Sequence, residues 1–135
     1  YYILLPSISF VGSSIDNRQW ENILRSVSAY RSYRWLNEYK INPRGICRFL
    51  ILDTRFPRSL IFCARQLSTN LRLLTKEYNR KSKSAKLARA ISKNLDTSTI
   101  DDIFDQGLHE FLRDWIANLN RLSIQIENDF RFYPA

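Results

Sequence analysis

Three groups of residues in this chain combine the types and spacing that chemistry requires. The first surrounds the only histidine, His109, with Asp105 four residues before it, Gln106 three before, Arg113 four after, and Asp102 heading the same polar stripe. A histidine with a carboxylate one helical turn away can pass a proton near neutral pH. Pairs of this spacing are also ordinary surface features of helices.

The second group lies in "ILDTRFPRSLIFCAR", residues 51–65, where Asp53, Arg55 and Arg58 flank Pro57. Proline has no N–H to give and suits the first position of a helix, and it biases the preceding Phe56 away from the helical region. A helix start carrying Arg58 could hold a phosphate or carboxylate on its free N–H groups. The competing reading is architectural: Asp53 ends one helix, turns the chain, and pairs with Arg58 or Arg55 as a corner brace. The third group is "AYRSYRWLNEYK", where Tyr30, Arg31, Tyr33, Arg34 and Trp35 interleave. Such a strip could stack on single-stranded nucleic acid, although arginine stems also cover aromatic surfaces in ordinary helical proteins.

Two cysteines and one histidine fall short of a Cys-rich zinc set, and no metal site is expected. Cys47 and Cys63 both sit in apolar settings ("GICRFLIL", "SLIFCAR") and are expected to be buried as small hydrophobes. The sequence has no Gly-rich phosphate loop, HExxH or GxSxG pattern. No self-contained catalytic motif and no cofactor are implied.

The elements that must position these groups read as helices. With 3 Gly and 4 Pro in 135 residues, the chain has too few turn formers for an all-β protein. Asp16 is the expected N-cap of a first helix carrying Trp20, Ile23, Leu24, Val27 and Tyr30 on one face and running through "AYRSYRWL" to Leu36. Asn42 followed by Pro43 starts a short second helix. A third begins at Pro57 and carries Leu60, Ala64, Leu67, Leu71, Leu74 and Tyr78 at alternating spacings of 4 and 3, the seam of a bundle helix.

"NRKSKSAK", residues 79–86, reads as an exposed basic loop leading into a fourth helix with Leu87, Ala88, Ile91 and Leu95. Thr99 and Asp102 form a capping box that opens a long last helix, whose apolar stripe runs from Ile103 to Ile126 with Gly107 as a kink or close-packing point. The expected fold is all-α, an antiparallel bundle of about five helices with a long C-terminal helix, in one domain.

Net charge is +8 and unevenly spread: residues 1–95 carry +13 and residues 96–135 carry −5. The basic body favours anionic partners such as nucleic acid, nucleotide phosphates or acidic protein. The absence of methionine and the abrupt opening on "YYILLPS" suggest a piece of a longer protein. No apolar run approaches the roughly 18–20 residues of a membrane span, and the opening is unlike a signal peptide. A cytoplasmic protein without membrane association is expected, and this setting argues against a disulfide.

"YYILLPS", "DNRQWENILRSVSAYRSYR", "FLILDTRFPRSLIFC" and "DDIFDQGLHEFL" follow in the order and at about the spacing of the C-terminal part of bacterial Alpha-E domain proteins, which the chain resembles along nearly its whole length. The resemblance implies an all-helical, commonly duplicated domain named for a Glu-Arg motif. Its gene context implies a peptide synthesis or modification system with ATP-grasp-type ligases, transglutaminase-like proteins and an N-terminal-nucleophile peptidase as partners. No Glu-Arg dipeptide occurs in this chain; the motif is expected on a helix upstream of Tyr1, in the missing N-terminal half.

Trp20, Asp53, Phe56, Pro57, Arg58, Ser59, Gln106, Gly107 and His109 match the family pattern. Of these, Trp20, Phe56, Pro57 and Gly107 are expected to be structural. Asp53, Arg58, Gln106 and His109 are the polar set that could complete a site with the missing half. The resemblance implies a helical module that acts with the ligase and transglutaminase-like partners. A basic nucleic-acid-binding module is the alternative, and a stand-alone enzyme using His109 a third reading.

Overall fold

A computed structural model describes residues 14–38, 40–79 and 81–131. Among them are seven helices and no strand: α1 (Ser14–Ser26), α2 (Tyr30–Leu36), α3 (Pro43–Leu52), α4 (Leu60–Glu77), α5 (Lys83–Thr97), α6 (Ile100–Gln106) and α7 (Leu108–Phe130). The protein is all-α, and the count exceeds five because the first and last expected helices are each divided in two. The opening "YYILLPS" lies outside the described residues.

α1 begins at Ser14, so Asp16 lies within the helix and is not its N-cap. Its apolar face buries Trp20, Ile23 and Leu24. The helix stops where Ser28 adopts a left-handed φ of 55°, and Ala29 N–H donates to the Leu24 carbonyl at 2.7 Å. α2 then starts in a new direction and buries Tyr33 completely.

α3 starts as its sequence dictates. The Asn42 side chain accepts from Gly45 N–H at 2.6 Å, and Pro43 occupies the first turn, where its missing N–H costs nothing. A Cβ on Gly45 would stand 2.8 Å from Tyr33 Oη, so glycine is what lets α2 approach the start of α3. That hydroxyl donates to the Lys40 carbonyl at 2.8 Å. Ile46, Cys47, Phe49, Leu50 and Ile51 fill the centre of the core from α3.

α4 is capped by Ser59, whose hydroxyl oxygen accepts from Phe62 N–H at 3.2 Å. Pro57 therefore sits in the turn before the helix rather than at its first position. Leu60, Ala64 and Leu71 of the expected seam are buried, whereas Leu67, Leu74 and Tyr78 are 38%, 37% and 62% exposed. α4 packs mainly on α5 and on α3, and the half-covered end of its stripe still touches α7, Tyr78 meeting the Phe130 ring edge-on at 6.3 Å between centroids.

The second half of "NRKSKSAK", from Lys83, is helix rather than loop. Ser82 caps α5 from Lys83 onward, accepting from Ala85 N–H at 3.1 Å, and both Ser82 and Ser84 are buried. Asp129, in the last turn of α7, supplies a second cap: its Oδ2 accepts from Ser84 N–H at 2.6 Å and from the Ser82 hydroxyl at 3.1 Å. Gln125 Nε2 donates to the other carboxylate oxygen at 2.8 Å. A carboxylate there is favoured by the N-terminal end of the helix dipole.

Thr99 and Asp102 form the expected reciprocal capping box at the start of α6. Gly107, at φ 103°, then separates α6 from α7. Few side chains tolerate that conformation, so the glycine divides the expected long helix rather than merely bending it. α7 runs for 23 residues and packs on α5 through Trp115, Leu119 and Leu122.

Candidate functional site

The corner between α3 and α4 is built around Asp53. Its carboxylate takes a bidentate grip from Arg55, Oδ1 accepting from Nε at 3.0 Å and Oδ2 from Nη2 at 2.7 Å, with a further bond from Arg55 N–H at 2.9 Å. The Arg55 side chain holds the Asp53 carboxyl below the usual carboxylate range against the opposing effect of burial, with a smaller contribution from the charge of Arg48. A carboxylate so stabilised is a poor proton acceptor. The geometry makes Asp53 a fixed anion.

Phe56 closes this corner by stacking on Phe49 at 4.6 Å between ring centroids, and Phe49 meets Tyr33 edge-on at 5.4 Å. Ser59, fully buried, donates its hydroxyl hydrogen to the Asp53 carbonyl at 2.6 Å. Arg58 does not pair with Asp53. It reaches instead to the Val27 carbonyl at 2.7 Å, across the break between α1 and α2.

Gln106 and His109 stand at the other corner, between α6 and α7. Gln106 donates to Asp114 Oδ2 at 3.4 Å, and His109 is exposed in the first turn of α7. Because Gly107 interrupts the helix, Asp102, Asp105, Gln106, His109 and Arg113 do not form one continuous helical stripe. Asp53 lines one cavity and Gln106 another, smaller one of about 190 Å³, and neither lining includes Arg58 or His109. The four polar residues chosen from sequence are therefore distributed over two corners.

The arginine-aromatic strip is also divided. Tyr33 is buried, Tyr30 is half-buried with the Arg25 guanidinium 3.9 Å from its ring centre, and Trp35 alone is 83% exposed. Cys47 is buried as expected, and burial pushes its thiol up to about 12. Cys63 is exposed, contrary to expectation, with its thiol donating to the Pro57 carbonyl at 3.6 Å. Both are free thiols, and no group of three or more His, Cys, Asp or Glu among the described residues could hold a metal ion.

The cavity that Asp53 lines is a groove of about 840 Å³ bounded by α2, α3, the turn between them and the start of α6. Among the described residues four cations line it: Lys40, Arg44, Arg48 and Arg55. Arg44 and Arg48 are one turn apart on α3, on the side opposite its buried residues, and Arg44 pairs with Asp101 to tie α3 to α6. Leu36, Leu52 and Ile100 add apolar surface. The i, i+4 arginines of "PRGICR" are the sequence signal that could have pointed here, but their meaning depends on Lys40 and Arg55 arriving from separate turns. The arrangement can hold an anion alongside an apolar group.

A family model described as a predicted alpha-helical domain with a conserved ER motif matches residues 1–130. No curated protein and no solved structure matches the chain. No helix among the described residues is long and apolar enough to cross a membrane.

Proposed function

The chain belongs to the Alpha-E family, and from that premise we propose that it is a helical module of a peptide synthesis or modification system, presenting a partner-facing surface to an ATP-grasp-type ligase and transglutaminase-like proteins. The observation that carries this reading is the groove over α2 and α3. Its conspicuous residues are binding groups, cations beside apolar surface, and two of its carboxylates, Asp53 and Asp101, are paired with Arg55 and Arg44. A surface of that make-up suits docking better than bond-making. Asp53 serves the surface by fixing Arg55, and Arg58 holds the corner that carries both.

The test is co-purification of the full-length protein with the ligase and the transglutaminase-like proteins, followed by ligase turnover with and without it. A stable complex that weakens on Arg48→Glu is the expected result. No complex with either protein, together with unchanged ligase turnover, overturns the reading.

A second reading, electrostatic binding of nucleic acid, draws on the net charge of +8 and on Trp35, whose exposed ring could stack on a base. It predicts a mobility shift at about 50 mM salt that disappears steeply as salt rises. The absence of a shift with both single- and double-stranded probes removes it.

A further inference from the structure

We infer that the groove over α2 and α3 takes an acidic peptide segment with an apolar side chain, its carboxylates held by Arg48 and Lys40. This rests on reading the groove as the partner-facing surface. Two of the four lining cations are already engaged, Arg55 by Asp53 and Arg44 by Asp101. The side chains of Arg48 and Lys40 make no hydrogen bond or ion pair with any described residue, and they line the same groove. Arg48 acts only through its charge, which helps to keep Asp53 ionised.

The groove places these two cations rather than leaving them to chance. Tyr33 Oη donates to the Lys40 carbonyl, fixing the turn from which the Lys40 side chain springs, and Gly45 leaves room for that hydroxyl. Arg48 rises from a helix whose other face is locked in the core. Between them Leu36, Leu52 and Ile100 offer partly accessible apolar surface. The volume of about 840 Å³ is within the range of ligand clefts, roughly 300–1,000 Å³. It suits an extended segment of a few residues better than a helix or duplex.

Charge and shape select peptide over nucleic acid. The charged groups that line the groove among the described residues sum to +1, four cations against Glu38, Asp53 and Asp101, too small a surplus to hold a continuous phosphate backbone but enough for two carboxylates at Arg48 and Lys40. Among the described residues, the aromatic rings that line the groove, Tyr33 and Phe49, are buried to 0% and 1% exposure and show no face for a base to stack on. Trp35 is not part of the lining.

The experiment is fluorescence polarisation of the chain with a labelled peptide containing a Glu-Leu-Glu core, its Gln-Leu-Gln counterpart, and single-stranded oligo-dT. The expected result is saturable binding of the acidic peptide and about tenfold weaker binding of the amide counterpart. Arg48→Gln and Lys40→Gln should each weaken the acidic peptide by about two- to fivefold, the scale of one exposed ion pair. Lys93→Gln, on exposed α5 surface away from the groove, should leave binding unchanged, with helical circular dichroism preserved throughout. No saturation up to millimolar peptide, equal binding of the amide counterpart, or indifference to Arg48→Gln overturns the inference. Tighter binding of oligo-dT that depends on Arg48 overturns it in favour of nucleic acid. A ligase complex that weakens on Arg48→Glu while the peptide fails to bind removes this inference and leaves the proposed function standing; peptide binding without any ligase complex does the reverse.

Discussion

Arg58 Nη1 donates a 2.7 Å hydrogen bond to the carbonyl oxygen of Val27, which lies 31 residues earlier in the chain. The acceptor is available because Val27 lies just past the end of α1, in the break before α2, where no backbone N–H of the described residues donates to it. One residue of the α3–α4 corner thus ties down the break that redirects α1 into α2.

Replacing Arg58 by Ala should lower stability by about 1 kcal/mol, the scale of a charge-assisted hydrogen bond in an exposed setting. Urea denaturation reads this as a lower midpoint at an unchanged slope. Arg58→Lys should recover only part of the loss, because an ammonium lacks the planar reach of a guanidinium. An unchanged midpoint for Arg58→Ala would show that the tie contributes nothing.

Gly107→Ala should be costlier. At φ 103° any side chain is strained, and the added Cβ would meet the Glu110 carboxylate. About 1–3 kcal/mol is expected from the backbone alone. Thermal unfolding checks it, and a Tm equal to that of the wild type would mean that α6 and α7 can join without penalty.

The Asp53–Arg55 pair predicts a pH dependence. Arg55 lowers the folded-state value of the Asp53 carboxyl below its ordinary 3.8, so folding favours the ionised form. The resulting stability is fully present above the ordinary value and is lost as pH falls through the lower folded one. The difference in stability between wild type and Arg55→Gln should therefore be constant above about pH 5 and shrink below about pH 4. Denaturation across a pH series measures it; a difference unchanged down to pH 3 would exclude Asp53 as its source.

The thiols should react unequally. Cys63 is exposed, whereas Cys47 is buried with its thiol raised to about 12, where little thiolate exists at neutral pH. A thiol reagent at neutral pH should label Cys63 in the folded protein and reach Cys47 only on unfolding. Peptide mapping by mass spectrometry distinguishes the two, and equal labelling of both in the native protein would contradict the burial of Cys47.

What was legible in the sequence was local. Asn42 with Pro43, and Thr99 with Asp102, act within one helical turn of themselves, and each starts a helix as expected. The break after Ser26 was not legible, because no Gly or Pro marks it and the acceptor it frees is taken by Arg58 from far along the chain. Ser82 and Ser84 looked like solvated loop for a related reason. Their burial depends on Asp129, 45 residues beyond Ser84, which no reading of "NRKSKSAK" can see.

The candidate site divided along the same line. Asp53 and Gln106 line cavities, but the sequence could not show that they line different ones. Arg48 was overlooked because it is one arginine among many until the fold brings Lys40 and Arg55 beside it.

The bond from Ser84 N–H to Asp129 has a consequence for how the molecule opens. When the last turn of α7 frays, it withdraws the acceptor from the first turn of α5, and Ser82 and Gln125 lose their partner in the same event. The two helix ends then share one opening equilibrium, and their amides should exchange with deuterium at one common rate rather than as separate frayed termini. α7 ends as a latch on α5.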